Sequence, residues 1–351
     1  MANKVLLHIG LPKTGTTYLQ SILWGSQDEL RDEGILLPGR GHRVHLWAAL
    51  DVQGRKGLAS RHRRAPGSWK RLVKQLGSWD GTGVVSHEFL SGASAKYASQ
   101  AIADLAPAEV HVVVTARDSL GMLTAGWQEY VKNGGTEPVS AMGDRRSGPG
   151  SEFSWRTWDL RGVLRRWTPD LPPERVHILP LPVGGEPDQH WRNFAEIIGA
   201  TRDYPIPERP ANPSLGVVQV ELLRRVNAHL GDFHSALDRG RWIRGYLAEE
   251  MLSMQEREPL GLDPAAVAEC RERADHAVEF VRRRGFHVVG DLDSLKVPDA
   301  VPERRACDTV ADVELIDASG RLVADMLADV RARVRGGAPD GLTAAGRRHQ
   351  S

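Results

Sequence analysis

A glycine-rich loop near the start of the chain combines the residue types that hold a phosphate group. The apolar stretch Val5–Ile9 is followed by the loop Gly10–Thr16 and then by an amphipathic helical pattern. Gly10 and Gly15 have the spacing of the P-loop G-x-x-x-x-G-K-[ST], but Lys13 lies inside the loop. Glycines let the backbone approach a phosphate, which successive N–H groups and the positive helix end then hold. A lysine in such a loop can place a point charge on a bridging or leaving oxygen.

Two proton-accepting side chains follow a second apolar stretch. A strand that ends at Ser86 places His87 and Glu88 at its carboxyl edge, where ligand crevices of open α/β sheets lie. Either side chain can act as a general base towards a hydroxyl within hydrogen-bond reach. In the alternative interpretation Ser86 only caps the next helix. His42 and His45 are weaker candidates for the base.

An arginine follows a third apolar stretch. Arg117 and Asp118 come after the strand pattern Val110–Thr115 and before a helical pattern. The guanidinium group suits a terminal phosphate because it can donate two parallel hydrogen bonds. The alternative is a local ion pair at the start of the helix.

The composition indicates a globular protein with one large domain or two small ones. The chain has 351 residues, of which 41% are hydrophobic and 26% charged, and a net charge of +1. A net charge this close to zero produces no overall positive potential that would attract nucleic acid, so we expect no nucleic-acid partner. Basic residues are concentrated locally between Arg55 and Arg64. They form either a solvated loop or a wall of the site that attracts an anionic donor or acceptor.

Cysteine usage and hydropathy predict a cytoplasmic protein. Cys270 and Cys307 are the two cysteines, and no CxxC or Cys/His cluster indicates a metal site. The chain shows no signal-peptide pattern, and no apolar run approaches the length of a membrane span. We therefore expect no transmembrane segment; the oligomeric state stays open.

Strand and helix patterns alternate, which predicts an α/β fold with a central parallel sheet flanked by helices. The predicted strands are Val5–Ile9, Gly83–Ser86, Val110–Thr115, Val176–Leu181 and Phe286–Val289. The predicted helices are Thr16–Gln27, Ser68–Leu76, Ala95–Leu105, Gly121–Lys132, Trp158–Trp167, His190–Ile198, Gly216–Leu230, Trp242–Met254, Pro264–Arg284 and Asp317–Val334. The glycine-rich segment Asn133–Phe153 is a candidate lid or substrate loop.

The loop sequence PKTGTT after a first strand resembles the 5′-phosphosulfate loop of the sulfotransferases that use 3′-phosphoadenosine-5′-phosphosulfate (PAPS). The resemblance, to bacterial enzymes acting on carbohydrates or small molecules, implies a P-loop-NTPase-like sulfotransferase fold and no metal requirement. It implies that Lys13 assists departure of the phosphate. It also implies that the 5′-phosphate is bound by Pro12, Lys13, Thr14, Gly15, Thr16 and Thr17.

The segment from Arg117 resembles the part of these enzymes that binds the 3′-phosphate. The serine expected eight residues later is replaced by Ala125, and Thr124 or Gln128 can take over its contact. A further basic contact to this phosphate is expected from Arg239, Arg241 or Arg244. The base in carbohydrate-type members is often a glutamate, which leaves Glu88 and His87 both open here.

The sequence therefore predicts a sulfotransferase that moves a sulfuryl group from PAPS to a hydroxyl of a carbohydrate, glycolipid or small metabolite. The alternatives are a P-loop kinase or NTPase, and a non-catalytic nucleotide-binding regulatory protein. The predicted sulfotransferase domain spans residues 1–295, with an α/β core over 1–204 and a helical C-terminal part over 205–295. An accessory helix over 296–336 and a disordered tail over 337–351 are expected to follow.

Overall fold

The structure is a computed structural model that describes residues 2–142, 152–182, 184, 186, 188–206 and 214–335. Its centre is one all-parallel sheet of six strands in the order β2-β3-β1-β4-β5-β6. The strands are β1 (Lys4–His8), β2 (Ile35–Leu36), β3 (Thr82–Ser86), β4 (Glu109–Ala116), β5 (Val176–Pro180) and β6 (His287–Val288). The predicted α/β class with a helix-flanked parallel sheet is confirmed.

Fourteen α-helices lie within the described ranges. They are α1 (Thr16–Gly25), α2 (Gln27–Asp32), α3 (His42–Val52), α4 (Leu58–Arg61), α5 (Ser68–Gly77), α6 (Ala95–Ala103), α7 (Ser119–Lys132), α8 (Trp155–Trp158), α9 (Leu160–Trp167), α10 (Gln189–Ile198), α11 (Val217–Asn227), α12 (Ala236–Asp238), α13 (Pro264–Arg284) and α14 (Asp312–Arg335). A π-helix spans Arg239–Met251. Short 3₁₀ turns span Glu88–Gly92, Val139–Ala141, Pro173–Arg175, Leu252–Met254, Leu292–Leu295 and Cys307–Thr309.

The strand order predicts a ligand crevice beside the first strand. Leu7 of β1 pairs with Val85 of β3 on one side and with Val112 of β4 on the other. The chain leaves β1 towards β2 on one side of the sheet, whereas it leaves β4 towards β5 on the other. Where the segments after adjacent parallel strands diverge in this way, a ligand crevice forms at their carboxyl ends. The loop after β1 and the segment after β4 therefore border the crevice.

Apolar side chains fix the elements that carry these loops. Strands β1 and β4 are buried almost throughout, as expected for a parallel sheet covered on both faces. Helices α1 and α10 pack on one face of the sheet. Their shared core includes Leu6, Leu19, Ile22, Val113, Leu179 and Phe194. Because these residues are fully buried, the start of α1 is held rigidly at the end of β1.

The chain forms two compact units, each assembled from separate stretches of sequence. The first unit contains the described residues of Met1–Met122, Asp144–Arg209 and Glu269–Pro298, and it includes the whole sheet. The second contains those of Leu123–Gly143, Pro210–Ala268 and Asp299–Ser351, and it is helical. The predicted segments 1–204, 205–295 and 296–336 follow the chain order, so they do not coincide with these units.

Several predicted boundaries and elements were wrong. The predicted helix Thr16–Gln27 ends at Gly25, where the Ser26 N–H bonds to the Ile22 carbonyl, and α2 starts immediately afterwards. The predicted helix Trp158–Trp167 is divided at Asp159, whose backbone is extended. The predicted helix Trp242–Met254 is a π-helix that begins at Arg239 and ends in a 3₁₀ turn. The elements β2, α2, α3, α4 and α12 were not predicted.

Parts of three predictions lie outside the described residues: 143–151 of the candidate lid, 207–213 near the start of the predicted helical C-terminal part, and the tail from 337. Among the described helices, none combines the length and the apolar character needed to cross a bilayer.

Candidate functional site: an anion cradle with an adjacent carboxylate

The loop after β1 has an unusual backbone conformation. Gly10, Lys13 and Gly15 have φ values of 87°, 60° and 79°. Positive φ values are ordinary for glycine but uncommon for other residues. Among the residues that the structure describes, Lys13 is the only non-glycine residue with a positive φ. A strained backbone of this kind persists only where the surrounding structure enforces it, and it is concentrated at functional sites. The loop therefore has the conformation of a ligand-binding turn.

Unsatisfied amides make this loop a candidate anion cradle. Gly15 precedes α1, and no side chain caps the helix. The backbone N–H groups of Thr14, Gly15, Thr16 and Thr17 have no hydrogen-bond partner among the described residues, and the first helical bond runs from Leu19 to Gly15. The hydroxyls of Thr16 and Thr17 likewise have no partner in this part of the chain. Free amides at a helix N-terminus bind phosphate and sulfate groups.

The side chain of Thr14 holds the loop and does not face a ligand. It is fully buried, and its hydroxyl donates to the Leu11 carbonyl at 2.5 Å and bonds to the Thr115 hydroxyl at 2.6 Å. The Thr14 carbonyl accepts a hydrogen bond from His190 Nε2 at 3.0 Å. Thr14 can therefore contribute its amide to the predicted phosphate site, whereas its hydroxyl fixes the loop to β4.

A buried polar network continues from Thr115 to the end of β3. His8 bonds to the Thr115 hydroxyl at 3.2 Å and to the Ser86 hydroxyl at 2.8 Å. Burial lowers the pKa of His8 to about 3, so its ring is neutral. Gln20 on α1 donates to the Ser86 hydroxyl at 3.4 Å and to Glu88 Oε2 at 3.1 Å. These bonds join the three strands that carry the predicted site.

Glu88 lies directly against the loop. A Cβ atom at Gly10 would come within 2.7 Å of the Glu88 Cβ and 2.8 Å of its Cα. The Glu88 side chain is 20% exposed. Burial raises its pKa, but the hydrogen bonds to the carboxylate, including the one from Gln20, and the electrostatic influence of the neighbouring imidazoles outweigh burial and lower the pKa overall. The Glu88 side chain beside Gly10 is thus an ionised carboxylate.

The ring of His87 is held in the wrong tautomer for a base. Its Nδ1 accepts the N–H of Phe89 at 3.1 Å and caps the 3₁₀ turn Glu88–Gly92. A neutral ring that accepts at Nδ1 carries its proton on Nε2, so Nε2 is a donor. Burial also lowers the pKa of His87. The cap expected from Ser86 is therefore supplied by His87, while Ser86 belongs to the buried network.

The two weaker candidates for the base, His42 and His45, differ in burial and in hydrogen bonding. His45 is fully buried, with its Nδ1 accepting from the Ser86 N–H at 3.1 Å and its Nε2 donating to the Pro38 carbonyl at 2.9 Å. Both ring nitrogens of His45 are therefore used in positioning α3 against β3. His42 is exposed at the first residue of α3.

Arg117 lies beside the loop at the end of β4. Its Nη1 donates to the Lys13 carbonyl at 3.5 Å, and its guanidinium group packs on Gly121, where a Cβ would clash with Nη2. Its Nε is buried without a hydrogen-bond partner among the described residues, and Asp118 lies 3.8 Å away. Arg117 therefore has donor capacity left for an anion.

The remaining predicted residues belong to the second unit and have structural contacts there. The Gln128 side chain accepts from the Leu215 N–H at 3.0 Å. Arg244 contacts the carboxylates of Glu129 and Glu249 at 2.6 and 3.1 Å. Arg239 donates to the backbone carbonyls of Phe233 and His234, Arg241 lies over the Trp242 ring, and Thr124 is half-buried on α7.

Sequence reasoning missed four members of the site: His8, Gln20, Thr115 and His190. Gln20 could have been found from its helical spacing, one turn after Thr16. The other three become neighbours only through strand pairing and helix packing. No group of three or more His, Cys, Asp or Glu side chains in the described ranges has the arrangement of a metal site.

Comparison of the chain with family models, curated proteins and solved structures finds no match in any of the three.

Proposed function

We propose that the chain is a PAPS-dependent sulfotransferase. The observation that carries the proposal is the cradle of unsatisfied amides after β1, with an ionised carboxylate packed against its first glycine. The cradle suits the 5′-phosphosulfate of the donor, because its oxygens can accept from the free N–H groups. The carboxylate suits an acceptor hydroxyl, which must lose a proton during transfer.

The sheet topology supports a P-loop-NTPase-like sulfotransferase fold. The crevice between β1 and β4 is bordered by the loop with Lys13 and by Arg117. A donor with its phosphosulfate in the loop would extend along this edge, and its 3′-phosphate could accept from the Arg117 guanidinium group.

The residues suggest a direct transfer. The acceptor oxygen attacks sulfur, the bond from sulfur to the bridging oxygen breaks, and the acceptor proton passes to Glu88. The products are a sulfate ester and 3′-phosphoadenosine-5′-phosphate. Lys13 and the loop amides stabilise the negative charge that develops on the leaving phosphate. We assign Glu88 as the base because His87 uses its unprotonated nitrogen to cap the following turn.

Donor recognition provides the test. In Arg117→Ala, binding of 3′-phosphoadenosine-5′-phosphate should weaken by about 1.5–3 kcal/mol, because a charge-assisted contact to the 3′-phosphate is lost. Binding of 5′-AMP, which lacks that phosphate, should change little. Titration calorimetry with both nucleotides measures the difference.

The matched control is Arg165→Ala, which removes an exposed arginine from α9. It should leave both affinities unchanged. Equal losses for both nucleotides in Arg117→Ala would make Arg117 structural. Magnesium-dependent ATP binding without affinity for 3′-phosphoadenosine-5′-phosphate would instead identify the kinase alternative.

A further inference from the structure

A strongly basic surface lies next to the proposed base. Residues 35–79 contain ten basic residues and one acidic residue, Asp51, although the whole chain has a net charge of +1. Within them, residues 55–64, here called the basic segment, carry Lys56, Arg61, Arg63 and Arg64 at exposed positions. None of these four forms an ion pair with a described residue, whereas Arg55 pairs with Glu152 at 3.6 Å.

Apolar and polar contacts hold the basic segment beside Glu88. Leu58 is buried in a small cluster with Leu50 and Ala65, against which Phe89 packs. Gln53, just before the segment, donates to the Phe89 carbonyl at 2.7 Å. Phe89 follows Glu88 directly, so the basic segment packs beside the turn that begins with the proposed base.

We infer that the acceptor is an anionic polysaccharide whose charges bind the basic segment; this inference rests on the proposed function. Several cations spread along one surface suit a polymer with repeated charges, whereas a single small anion would need convergent donors. The segment would hold the chain while one of its hydroxyls faces Glu88.

Dextran sulfate and uncharged dextran are the probes. The wild type should bind dextran sulfate in a salt-dependent manner and should bind dextran much more weakly. The variant Lys56→Ala/Arg61→Ala/Arg63→Ala should lose roughly tenfold in affinity, as expected for three exposed charge contacts. Hydrogen exchange should show protection of residues 55–64 and of the turn Glu88–Gly92 on binding.

The control variant Arg165→Ala/Arg282→Ala/Arg283→Ala removes three exposed cations from α9 and α13 of the same unit, outside residues 35–79. Equal losses in the two variants, or protection confined to other surfaces, would overturn the inference. Binding of 3′-phosphoadenosine-5′-phosphate is measured on the same samples. If the wild type does not bind 3′-phosphoadenosine-5′-phosphate, the proposed function is refuted. The binding of dextran sulfate can still be interpreted in that case, because it is measured independently.

A second, independent feature is an exposed apolar stripe on α14. One face of this helix is packed through Leu315, Ala318 and Leu322. A different face carries large aliphatic side chains that are 53–76% exposed. They are Val313, Ile316, Val323, Leu327, Val330 and Val334. With Gly320 they follow an alternating three- and four-residue spacing, which is the a/d pattern of a coiled-coil seam.

The flanking charges favour an antiparallel partner. With Gly320, Leu327 and Val334 at a positions, Asp317 and Arg331 occupy e positions, which face each other across an antiparallel seam. In this register Gly320 meets Val330, and Val323 meets Leu327. Arg331 is exposed and forms no ion pair with any residue that the structure describes. In a parallel pairing Gly320 would instead meet Gly320 of the second helix, and Arg331 would face no acidic residue.

We propose that α14 of a second copy of this chain covers the stripe in an antiparallel dimer. Sedimentation over roughly 1–100 μM, the range of weak specific interfaces, should show concentration-dependent dimers of the full chain. Leu327→Glu should make the protein monomeric. Ala328→Glu, which places the same charge on the same helix beside the stripe, should leave the dimer intact.

Charge exchange tests the orientation. Asp317→Lys and Arg331→Glu should each weaken the dimer, and the double variant should restore it, because the two residues meet across an antiparallel seam. Restoration cannot come from one helix, since the two residues are far apart along it. A monomeric wild type over the whole range, or no restoration in the double variant, would overturn the proposal.

Discussion

At the scale of single residues, the proposal that Glu88 is the base rests on hydrogen bonding. Glu88→Gln keeps the shape of the side chain but cannot accept a proton, so kcat should fall by roughly 10²–10⁴ with donor affinity nearly unchanged. His87→Asn can still cap the 3₁₀ turn and should cost far less. Because the pKa of Glu88 is lowered from 4.5, the acid limb of the kcat profile should lie below that value. Larger losses in His87→Asn than in Glu88→Gln would contradict this assignment.

Lys13 should matter for chemistry and hardly for folding. Its positive φ means that Lys13→Gly relieves backbone strain while it removes the charge. The free energy of unfolding should therefore change by no more than about 1 kcal/mol. Turnover should fall by roughly 10²–10³, as for loss of a preorganised charge donor. Chemical denaturation and single-turnover kinetics measure the two effects, and full activity in Lys13→Gly would remove the proposed role.

The residue types of the site could be predicted from sequence, but their roles could not. Hydroxyls, glycines and a lysine in one loop indicate a phosphate cradle whatever their exact contacts. That the Thr14 hydroxyl bonds to Thr115, or that His87 Nδ1 accepts from Phe89, depends on side-chain directions set by packing. The choice between Glu88 and His87 became possible only with those directions.

At the scale of elements, strands were the most predictable part of the fold. Each of the five predicted strands is present, because short runs of Val, Ile and Leu bounded by turn residues are typical of a buried parallel sheet. Strand β2 has two residues and is defined by its pairing with β3, so no local pattern reveals it. The π-helix Arg239–Met251 likewise has no signal that separates it from an α-helix.

The junction between β1 and α1 depends on Gly10. A side chain there would meet a positive φ and a Cβ contact of 2.7 Å with Glu88. Gly10→Ala should therefore cost about 1–3 kcal/mol of stability, and turnover should also fall because Glu88 is displaced. Gly25→Ala is the control, since a Cβ there meets no atom within 4 Å and the residue is helical. Unchanged stability and turnover in Gly10→Ala would show that the loop and Glu88 are not coupled.

At the scale of the whole molecule, the division into two units could not be predicted. The sequence predicts a separate helical part from residue 205 to 295, yet residues 269–298 return to the first unit and provide β6. Such returns depend on long-range packing, which local periodicity does not contain. The same packing buries histidines on the sheet, and these determine how the fold responds to acid.

Acid should destabilise the first unit well above the pH at which carboxylates titrate. Burial lowers the pKa of His8 and His177 to about 3 and that of His45 to about 4. In the unfolded chain these rings titrate near pH 6.5, so between about pH 6.5 and 4 the unfolded state binds more protons. Stability is therefore fully present above about pH 6.5 and is lost as the pH falls, by at most about 1.4 kcal/mol per pH unit for each ring. Urea unfolding at several pH values should show this slope, and His177→Gln should reduce it. His276→Gln, at a half-exposed position on α13, is the control for the substitution itself. A flat profile between pH 6.5 and 5 would contradict the neutral state of the three rings in the folded protein.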